Sequence, residues 1–200
     1  MDSRTVLYFI IAAVVALVII GAMVWFATRR RQREHLRQRF GPEYEHAVAE
    51  RGDERRAVAE LQAREKRVAE LHIRPLEAAE RERAAGAWKS VQARFVDDPP
   101  GVVSDADRLI GEVMAARGYP MADFEQRAAD LSVQHAGVVT NYRAAHDIAE
   151  RSRAGRASTE DLRQSMVHYR SLFAELVGEE PVRHQEEVRV DESTRRTSDR

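Results

Sequence analysis

The chain has 200 residues, with 32 basic and 33 acidic side chains, a net charge of −1 and no cysteine. Without cysteine it can form no disulfide, no thiolate metal site and no cysteine nucleophile. The even charge balance argues against nucleic acid as the main partner, because a nucleic-acid-binding domain needs a basic face. Once the apolar opening and the charged end are set aside, about 140 residues remain, which is enough for one soluble domain with a single core.

An uncharged apolar stretch occupies residues 6–27 and reads VLYFIIAAVVALVIIGAMVWFA. As an α-helix with about 1.5 Å per residue it is roughly 33 Å long, slightly more than the ~30 Å hydrocarbon core of a bilayer. Tyr8 and Trp25 lie near its two ends, where aromatic side chains prefer the membrane interface. The sequence therefore predicts a transmembrane helix over residues 6–27, with residues 1–5 as a short extracytoplasmic N-terminus.

A cleavable signal peptide is the alternative interpretation of this stretch. Such a signal has a positive start, an apolar core of about 7–15 residues and small residues before the cleavage site. Here the charges of Asp2 and Arg4 cancel, the apolar core is longer, and Trp25 stands where the cleavage site needs a small residue. These three departures favour a retained anchor.

Residues 28–40 are strongly basic, with Glu34 as the single acidic residue among six arginines. An excess of Lys and Arg marks the cytoplasmic side of most membranes. The sequence therefore predicts a single-pass protein of the bacterial plasma membrane with its N-terminus outside and its C-terminal domain in the cytoplasm. The reverse topology stays open, since a long domain can translocate against the charge bias. The arginines of this juxtamembrane segment that we expect to contact anionic lipid headgroups are Arg29, Arg30, Arg31, Arg33, Arg37 and Arg39.

The remaining chain has the periodicity of helices, with no strand-like alternation between them. We therefore predict an all-α soluble domain over residues 41–178, in which the second and third helices form a hairpin ahead of a small helical bundle. Residues 179–200 are charged, lack large aromatic side chains and are predicted to be a disordered tail. Helices are expected over about 43–51, 54–71, 77–96, 104–117, 124–132, 136–153 and 159–177.

Local signals set the ends of two of these helices. Residues 97–101, which read DDPPG, have the composition of a loop. Ser104 with Asp107 then has the pattern of a capping box that opens the helix ending at Arg117. Ser158, followed by acidic residues that suit the helix dipole, is expected to cap the last helix.

Two helices carry continuous apolar faces and are expected to supply much of the core. The helix over 136–153 and the last helix should complete that core together with Trp88 and Phe95. The predicted buried residues of the two faces are Ala106, Leu109, Ile110, Val113 and Met114 in the first, and Leu162, Met166, Tyr169, Phe173 and Leu176 in the second.

Seven histidines are the candidates for chemistry. His46 with Glu50, and His146 with Glu150, are one helical turn apart, a spacing that allows two ligands to face one metal ion. The sequence nominates no third ligand and contains no HExxH motif, so neither a metal nor a cofactor is predicted. No GxSxG elbow, Walker A loop or dinucleotide fingerprint occurs, which argues against the commonest hydrolase, NTPase and Rossmann classes. No catalytic residue is assigned, and the weak pocket candidates are Trp88, Tyr142, His146, His168 and Tyr169.

Five sequence runs stand out together with Trp88: VQARFVDDP (91–99), RGYP (117–120), RAADLSV (127–133), YRAAHDIA (142–149) and STEDLRQSMVHYR (158–170). As a pattern they resemble a family of uncharacterised single-pass bacterial membrane proteins. The likeness covers most of residues 1–177 and implies one N-terminal span, a basic stretch and a helical domain. It implies no activity, so no residue inherits a catalytic or binding role from it.

These features favour a non-catalytic, membrane-anchored adaptor that brings a protein partner to the cytoplasmic face. The anchor would raise the effective concentration of the domain for other membrane components. One alternative is a bundle that binds a small apolar ligand or lipid between its helices, with Trp88, Phe95, Tyr142 and Tyr169 as walls. A further alternative is an enzyme that uses His146 together with His168.

Overall fold

The computed structural model describes residues 3–178, with the side chains of residues 16–178. Within these residues the chain consists of helices without a strand, which confirms the all-α prediction. The predicted tail over residues 179–200 lies outside the described residues. The helices of the described part are α1 (Ser3–Phe40), α2 (Pro42–Arg51), α3 (Glu54–Ala69), α4 (Ala78–Ala93), α5 (Pro99–Arg117), α6 (Phe124–Gln134), α7 (Ala136–Arg153) and α8 (Thr159–Val177).

The chain divides into two compact units, the first ending at Lys66 and the second beginning at Arg67. Residues 41–178, which the sequence analysis assigns to one soluble domain, contribute to both units. The two helices of the predicted hairpin, α3 and α4, do not belong to one unit, because most of α3 lies in the first unit and α4 lies in the second. The physical reason is that α3 buries Ala57 and Leu61 in the first unit, whereas α4 packs against α5 in the second.

α1 continues without a break through the predicted span and the basic stretch. Its large apolar side chains between residues 17 and 26 are exposed, and Leu17, Met23 and Phe26 have 67–74% of their surface accessible. No helix in the described part of the chain is both long and apolar enough to cross a membrane. The side chains of residues 1–15, which include the first ten positions of the predicted span, lie outside the described residues.

The first unit joins the end of α1 to α2 and α3. Gly41, with φ +49°, turns the chain after Phe40, and Pro42 opens α2, where a missing N–H costs nothing. On each helix the buried apolar side chains recur three or four positions apart, so each helix contributes a narrow apolar stripe to a small core. The buried apolar residues of this unit are Leu36, Phe40, Tyr44, Ala47, Ala57 and Leu61.

A buried ion pair crosses this small core. Nη1 of Arg64 donates to Oε1 of Glu43 at 2.9 Å, and both side chains are at most 4% exposed. Arg64 also bonds Glu60, which is shared with Arg51. Burial raises the pKa of Glu60, but the hydrogen bonds from Arg51 and Arg64 outweigh it and hold that pKa below its ordinary value. Charge pairing therefore fixes α2 on α3.

The second unit is a bundle with α5 packed against α4, α7 and α8, while α6 packs on α7. The predicted apolar faces of α5 and α8 are both buried, which confirms these two core assignments. Trp88 of α4 stacks on Phe173 of α8, with ring centroids 4.8 Å apart and 14° between the planes. Phe95 is only partly buried and packs at the margin of the core.

The start of α5 differs from the sequence prediction. Of the DDPPG segment only Asp97 and Asp98 lie outside a helix, because α5 begins at Pro99. Asp98 is the N-cap of α5, and its carboxylate accepts from the N–H of Gly101 at 3.0 Å. Two prolines fit the first turn, where N–H groups have no helical partner. Ser104 is therefore inside the helix, and its hydroxyl donates to the carbonyl of Pro100 at 3.3 Å. The predicted capping box at Ser104 and Asp107 is wrong.

The ends of three other helices differ by a few residues. α3 ends at Ala69 instead of residue 71, and α6 continues to Gln134 instead of ending near 132. α4 begins after Glu77, which forms a capping box with Glu80, and it ends at Ala93 rather than 96. The boundaries of α7 and α8 agree with the prediction, including the capping box that Ser158 forms with Asp161.

Candidate functional site

A polar cluster centred on Asp107 lies where α5, α7 and α8 meet. The hydroxyl of Tyr169 donates to Oδ1 of Asp107 at 2.9 Å. Nδ1 of His146 is 3.8 Å from the same oxygen, and Nη2 of Arg153 is 3.7 Å from Oδ2. Three helices of the bundle thus converge on one carboxylate, which we call the Asp107 cluster.

His146 is held between an aromatic ring and two carboxylates. Its imidazole stacks on Phe124 of α6, with centroids 3.6 Å apart and 6° between the planes. Nε2 is 3.5 Å from Glu150, one turn further along α7, while Nδ1 faces Asp107. The i,i+4 spacing therefore places His146 and Glu150 side by side on one face of α7.

Tyr142 lies one turn before His146 on α7, so the two side chains share a face. Its ring meets Phe124 at 4.8 Å, and its buried hydroxyl has no hydrogen-bond partner among the described residues. The buried Nε of Arg127 also lacks such a partner. A Cβ at Gly111 would lie 3.5 Å from Nη1 of Arg127, so this glycine lets the guanidinium approach α5 closely.

Burial and charge set the ionisation of the cluster. Burial raises the pKa of Asp107, but the contacts with His146 and Tyr169 outweigh it, so that pKa lies below its ordinary value. Burial, followed by the nearby Asp107 carboxylate, raises the pKa of Tyr169 strongly. Burial likewise raises the pKa of Tyr142 to about 12. At neutral pH an ionised Asp107 therefore accepts from a neutral Tyr169.

This geometry suits a structural network better than acid–base chemistry. A catalytic histidine oriented by a carboxylate bonds it within about 3.2 Å, whereas the nearest distance between His146 and Asp107 is 3.8 Å. Tyr142 and Tyr169 are both completely buried, so a substrate at the surface would not reach them. The contacts of Tyr169, His146 and Arg153 with the Asp107 carboxylate join α8 and α7 to α5. The Asp107 cluster thus fixes the relative register of α5, α7 and α8.

The structure brings some of the predicted pocket residues together and separates others. Tyr142, His146 and Tyr169 meet around Asp107, while Trp88 is buried against Phe173. Nδ1 of His168 instead contacts Oδ1 of Asn141 at 3.1 Å. Positions 141 and 146 differ by five residues, or about 140° around α7. His168 therefore contacts α7 on a different face from the one that carries His146. The two histidines do not form the pair that the enzyme hypothesis required.

Trp88, Phe95, Tyr142 and Tyr169 are the four aromatic walls of the ligand-binding alternative. A cleft of about 340 Å³ does exist in the second unit, between α4 and α5, and none of those four aromatic residues lines it. In the described part of the chain, no group of three or more His, Cys, Asp or Glu side chains is placed to hold a metal ion.

Three of the six juxtamembrane arginines form ion pairs with glutamates of the same chain. Arg33 pairs with Glu54 at 2.9 Å, Arg37 with Glu45 at 2.8 Å, and Arg39 with Glu65 at 3.1 Å. The guanidinium of Arg29 lies 4.2 Å from the ring centroid of Trp25. Arg30 and Arg31 are exposed on α1, so the part of the predicted lipid-contact surface nearest the apolar stretch remains accessible.

Asp107, Phe124 and Arg127 were not singled out from the sequence. Asp107 was interpreted as part of a helix cap, and that assignment concealed its role. Once α5 is extended back to Pro99, Asp107 falls on the same face as Ile110 and Met114, which are buried. A charged residue on an apolar helix face is the signal that could have identified it.

Comparison of the chain with known protein families, with curated proteins and with solved structures finds no match. The resemblance noted in the sequence analysis therefore stays a prediction.

The two buried tyrosines of the cluster should respond differently to removal of their hydroxyls. We expect Tyr169→Phe to lower the free energy of unfolding by about 1.5–3 kcal/mol, because a hydrogen bond to a buried carboxylate is lost. Tyr142→Phe should change it by less than about 0.5 kcal/mol or raise it, because the hydroxyl has no protein partner. Urea unfolding of the full chain in neutral detergent measures both. Equal losses from the two variants would contradict the assignment.

The cluster should also lose stability in acid. The folded pKa of Asp107 is below its ordinary value of about 3.9, so its contribution is present above that pH and is lost as pH falls through the folded pKa. The stability difference between the wild type and Asp107→Asn should therefore shrink progressively below about pH 4. Asp147→Asn, a change at an exposed carboxylate, is the control. A difference independent of pH between 6 and 3 would count against this electrostatic account.

Proposed function

We propose that the protein is a single-pass membrane-anchored adaptor of the bacterial plasma membrane, with its N-terminus outside and its helical units on the cytoplasmic side. It binds lipid through the first part of α1 and a protein partner through the units that follow. The observation that carries this proposal is the exposed apolar surface of α1, which leads without interruption into the basic stretch.

The anchor is supported by the apolar side chains around α1. Residues 17–26 expose eight large apolar side chains, each 49–74% accessible. Burying one such side chain is worth about 1.5–3 kcal/mol, so their exposure to water is unfavourable. They continue an uncharged sequence that starts at residue 6, and a helix that is apolar on all sides is typical of a membrane span.

The orientation is supported by the charges that follow the span. The run Arg29 to Arg31 begins three residues after Phe26, and Arg29 lies over Trp25, an arrangement suited to the interface between lipid and water. The three residues keep their positive charge available to anionic headgroups. This side of the span is therefore the cytoplasmic side.

The adaptor role is supported by the positions of the aromatic and polar side chains of the second unit. Its aromatic side chains fill the core, and its polar cluster joins helices inside the bundle, so partner recognition is assigned to the surface. A membrane anchor adds effective concentration to a weak surface contact. An interface of modest affinity is then sufficient for function.

The anchor is tested by extraction of membranes at alkaline pH, which removes peripheral proteins. We expect the wild type to stay in the membrane fraction and Leu17→Arg combined with Ile20→Arg to be released, since each arginine costs about 2.5–3.5 kcal/mol near the centre of a span. Gln32→Arg combined with Gln38→Arg adds the same charges to the same helix after the span and should stay membrane-bound. Release of the wild type would refute the anchor.

The adaptor role is tested by photo-crosslinking in living cells from an exposed side chain. A benzophenone amino acid placed at Lys89, which is exposed on α4, should give a discrete adduct with another protein. The yield should fall severalfold when Leu17→Arg and Ile20→Arg remove the anchor, because the effective concentration falls. An adduct yield that does not depend on the anchor would contradict the tethering role.

A further inference from the structure

A basic cleft of about 250 Å³ lies between α1 and α3 in the first unit. Three guanidinium groups line it: Arg29 and Arg33 from α1, and Arg55 from α3. The amide side chains of Gln32 and Gln62 add hydrogen-bond donors on the two helices. The cleft therefore collects cationic and donor groups from two elements that are distant in sequence.

The charge of the cleft is only partly compensated. Arg33 pairs with Glu54 at 2.9 Å, and Glu54 also accepts a hydrogen bond from Tyr44. Among the described residues, Arg29 and Arg55 have no carboxylate partner, and Arg29 contacts the ring of Trp25 instead. Arginine binds phosphate with two parallel N–H donors, so two uncompensated guanidinium groups suit a phosphate group.

The Arg29 end of the cleft lies at the level of lipid headgroups along α1. Arg29 follows Phe26 by three residues, or about 4.5 Å along the axis, and Arg33 by about 10 Å. The headgroup region extends roughly 5–8 Å beyond the hydrocarbon core. This step rests on the proposed function, because it places residues up to Phe26 in the hydrocarbon.

We propose that this cleft binds the headgroup phosphate of an anionic phospholipid. Arg29 and Arg55 bind the phosphate oxygens, and the two glutamine amides bind the glycerol oxygens. Val58 and Ala59 form an apolar floor beside them, which suits the carbon atoms of the glycerol. The volume is several times the ~30 Å³ of one water molecule, so a phosphate group fits.

The decisive feature is the contribution of α3. If anionic lipid were attracted only by the overall positive charge of the surface, every exposed arginine nearby would contribute about equally to binding. A built cleft instead requires Arg55, which lines it, and not Arg56, which is exposed on the next position of α3 and does not line it. These two neighbours have the same charge and therefore form a matched pair.

The test uses the full chain, labelled with 5-fluorotryptophan and freed of lipid in a neutral detergent. The sequence has two tryptophans, so Trp25 beside the cleft is the reporter and buried Trp88 is the internal control. We titrate dihexanoyl phosphatidylglycerol, dihexanoyl phosphatidylcholine and sodium phosphate, and follow the fluorine resonances. Phosphatidylglycerol should shift the Trp25 resonance saturably and leave Trp88 unchanged.

Arg55→Gln should weaken phosphatidylglycerol binding about fivefold, the equivalent of one basic residue at an anionic surface, and Arg56→Gln should leave it within about 1.5-fold. Equal weakening by both variants, or equal binding of phosphatidylcholine, would overturn the proposal. Sodium phosphate binding as tightly as the lipid would also overturn it, in favour of a soluble anion. Alkaline extraction of the same proteins from membranes separates the cleft proposal from the anchor proposal. A chain that stays in the membrane but shows no lipid selectivity refutes the cleft and leaves the anchor standing.

Discussion

Replacing Arg64 by Met is expected to destabilise the first unit by about 3–5 kcal/mol. The substitution keeps the length of the side chain but removes the charge that Glu43 and Glu60 face in the core. Breaking a buried ion pair from one side is costly, because the remaining charge loses its compensation while staying away from water. Hydrogen exchange of peptides from residues 42–66, read by mass spectrometry, measures this loss locally.

The matched control is Arg39→Met in the same unit. Arg39 pairs with Glu65 at 3.1 Å, but its side chain is 44% exposed. An exposed ion pair is worth about 0–1 kcal/mol, so protection from exchange should hardly change. If the two variants lost equal protection, the burial of the Arg64 pair would not be the cause of its effect.

Replacing Phe173 by Ala is expected to destabilise the second unit by a similar amount, about 3–5 kcal/mol. Phe173 is 2% exposed, and its ring stacks on Trp88, which joins α8 to α4. The change removes a large apolar side chain and leaves a cavity where the ring was. Denaturant unfolding followed by the fluorescence of Trp88, in a chain in which Trp25 is replaced by Phe, reports this contact directly.

Val167→Ala on the same helix is the control for the Phe173 variant. Val167 is 42% exposed, so its truncation should cost less than about 0.5 kcal/mol. A loss below about 1 kcal/mol for Phe173→Ala would mean that the stacked pair is not part of the cooperative core.

The helices of the second unit were predictable because their signals are local. Ser158 at the start of α8 and the apolar repeat from Leu162 to Leu176 both lie within one helix, and the structure has both features. The same holds for the buried face of α5. Such patterns depend only on helical geometry and on which residues avoid water.

The start of α5 was wrong because two local signals competed. Ser104 with Asp107 has the pattern of a capping box, yet Asp98 followed by Pro99 is the pattern that the structure uses. The choice of the first signal assigned Asp107 to a cap and removed it from the candidates. The error at a helix boundary thus became an error about the polar cluster.

The contacts between helices could not be derived from the sequence. Arg64 and Glu43 are 21 positions apart, and Tyr169 and Asp107 are 62 positions apart. In a chain rich in both charges, many such pairs are equally plausible until the helices are placed. The contribution of Arg55 to the basic cleft depends on the packing of α3 against α1 for the same reason.

The proposal that α1 crosses the membrane and holds the helical units inside the cell is tested by fusing green fluorescent protein or alkaline phosphatase to the C-terminus of the full chain. We expect fluorescence in the membrane fraction and no phosphatase activity, since the latter enzyme needs the oxidising compartment to form its disulfides. Active phosphatase, with the chain recovered from the soluble periplasmic fraction, would contradict it.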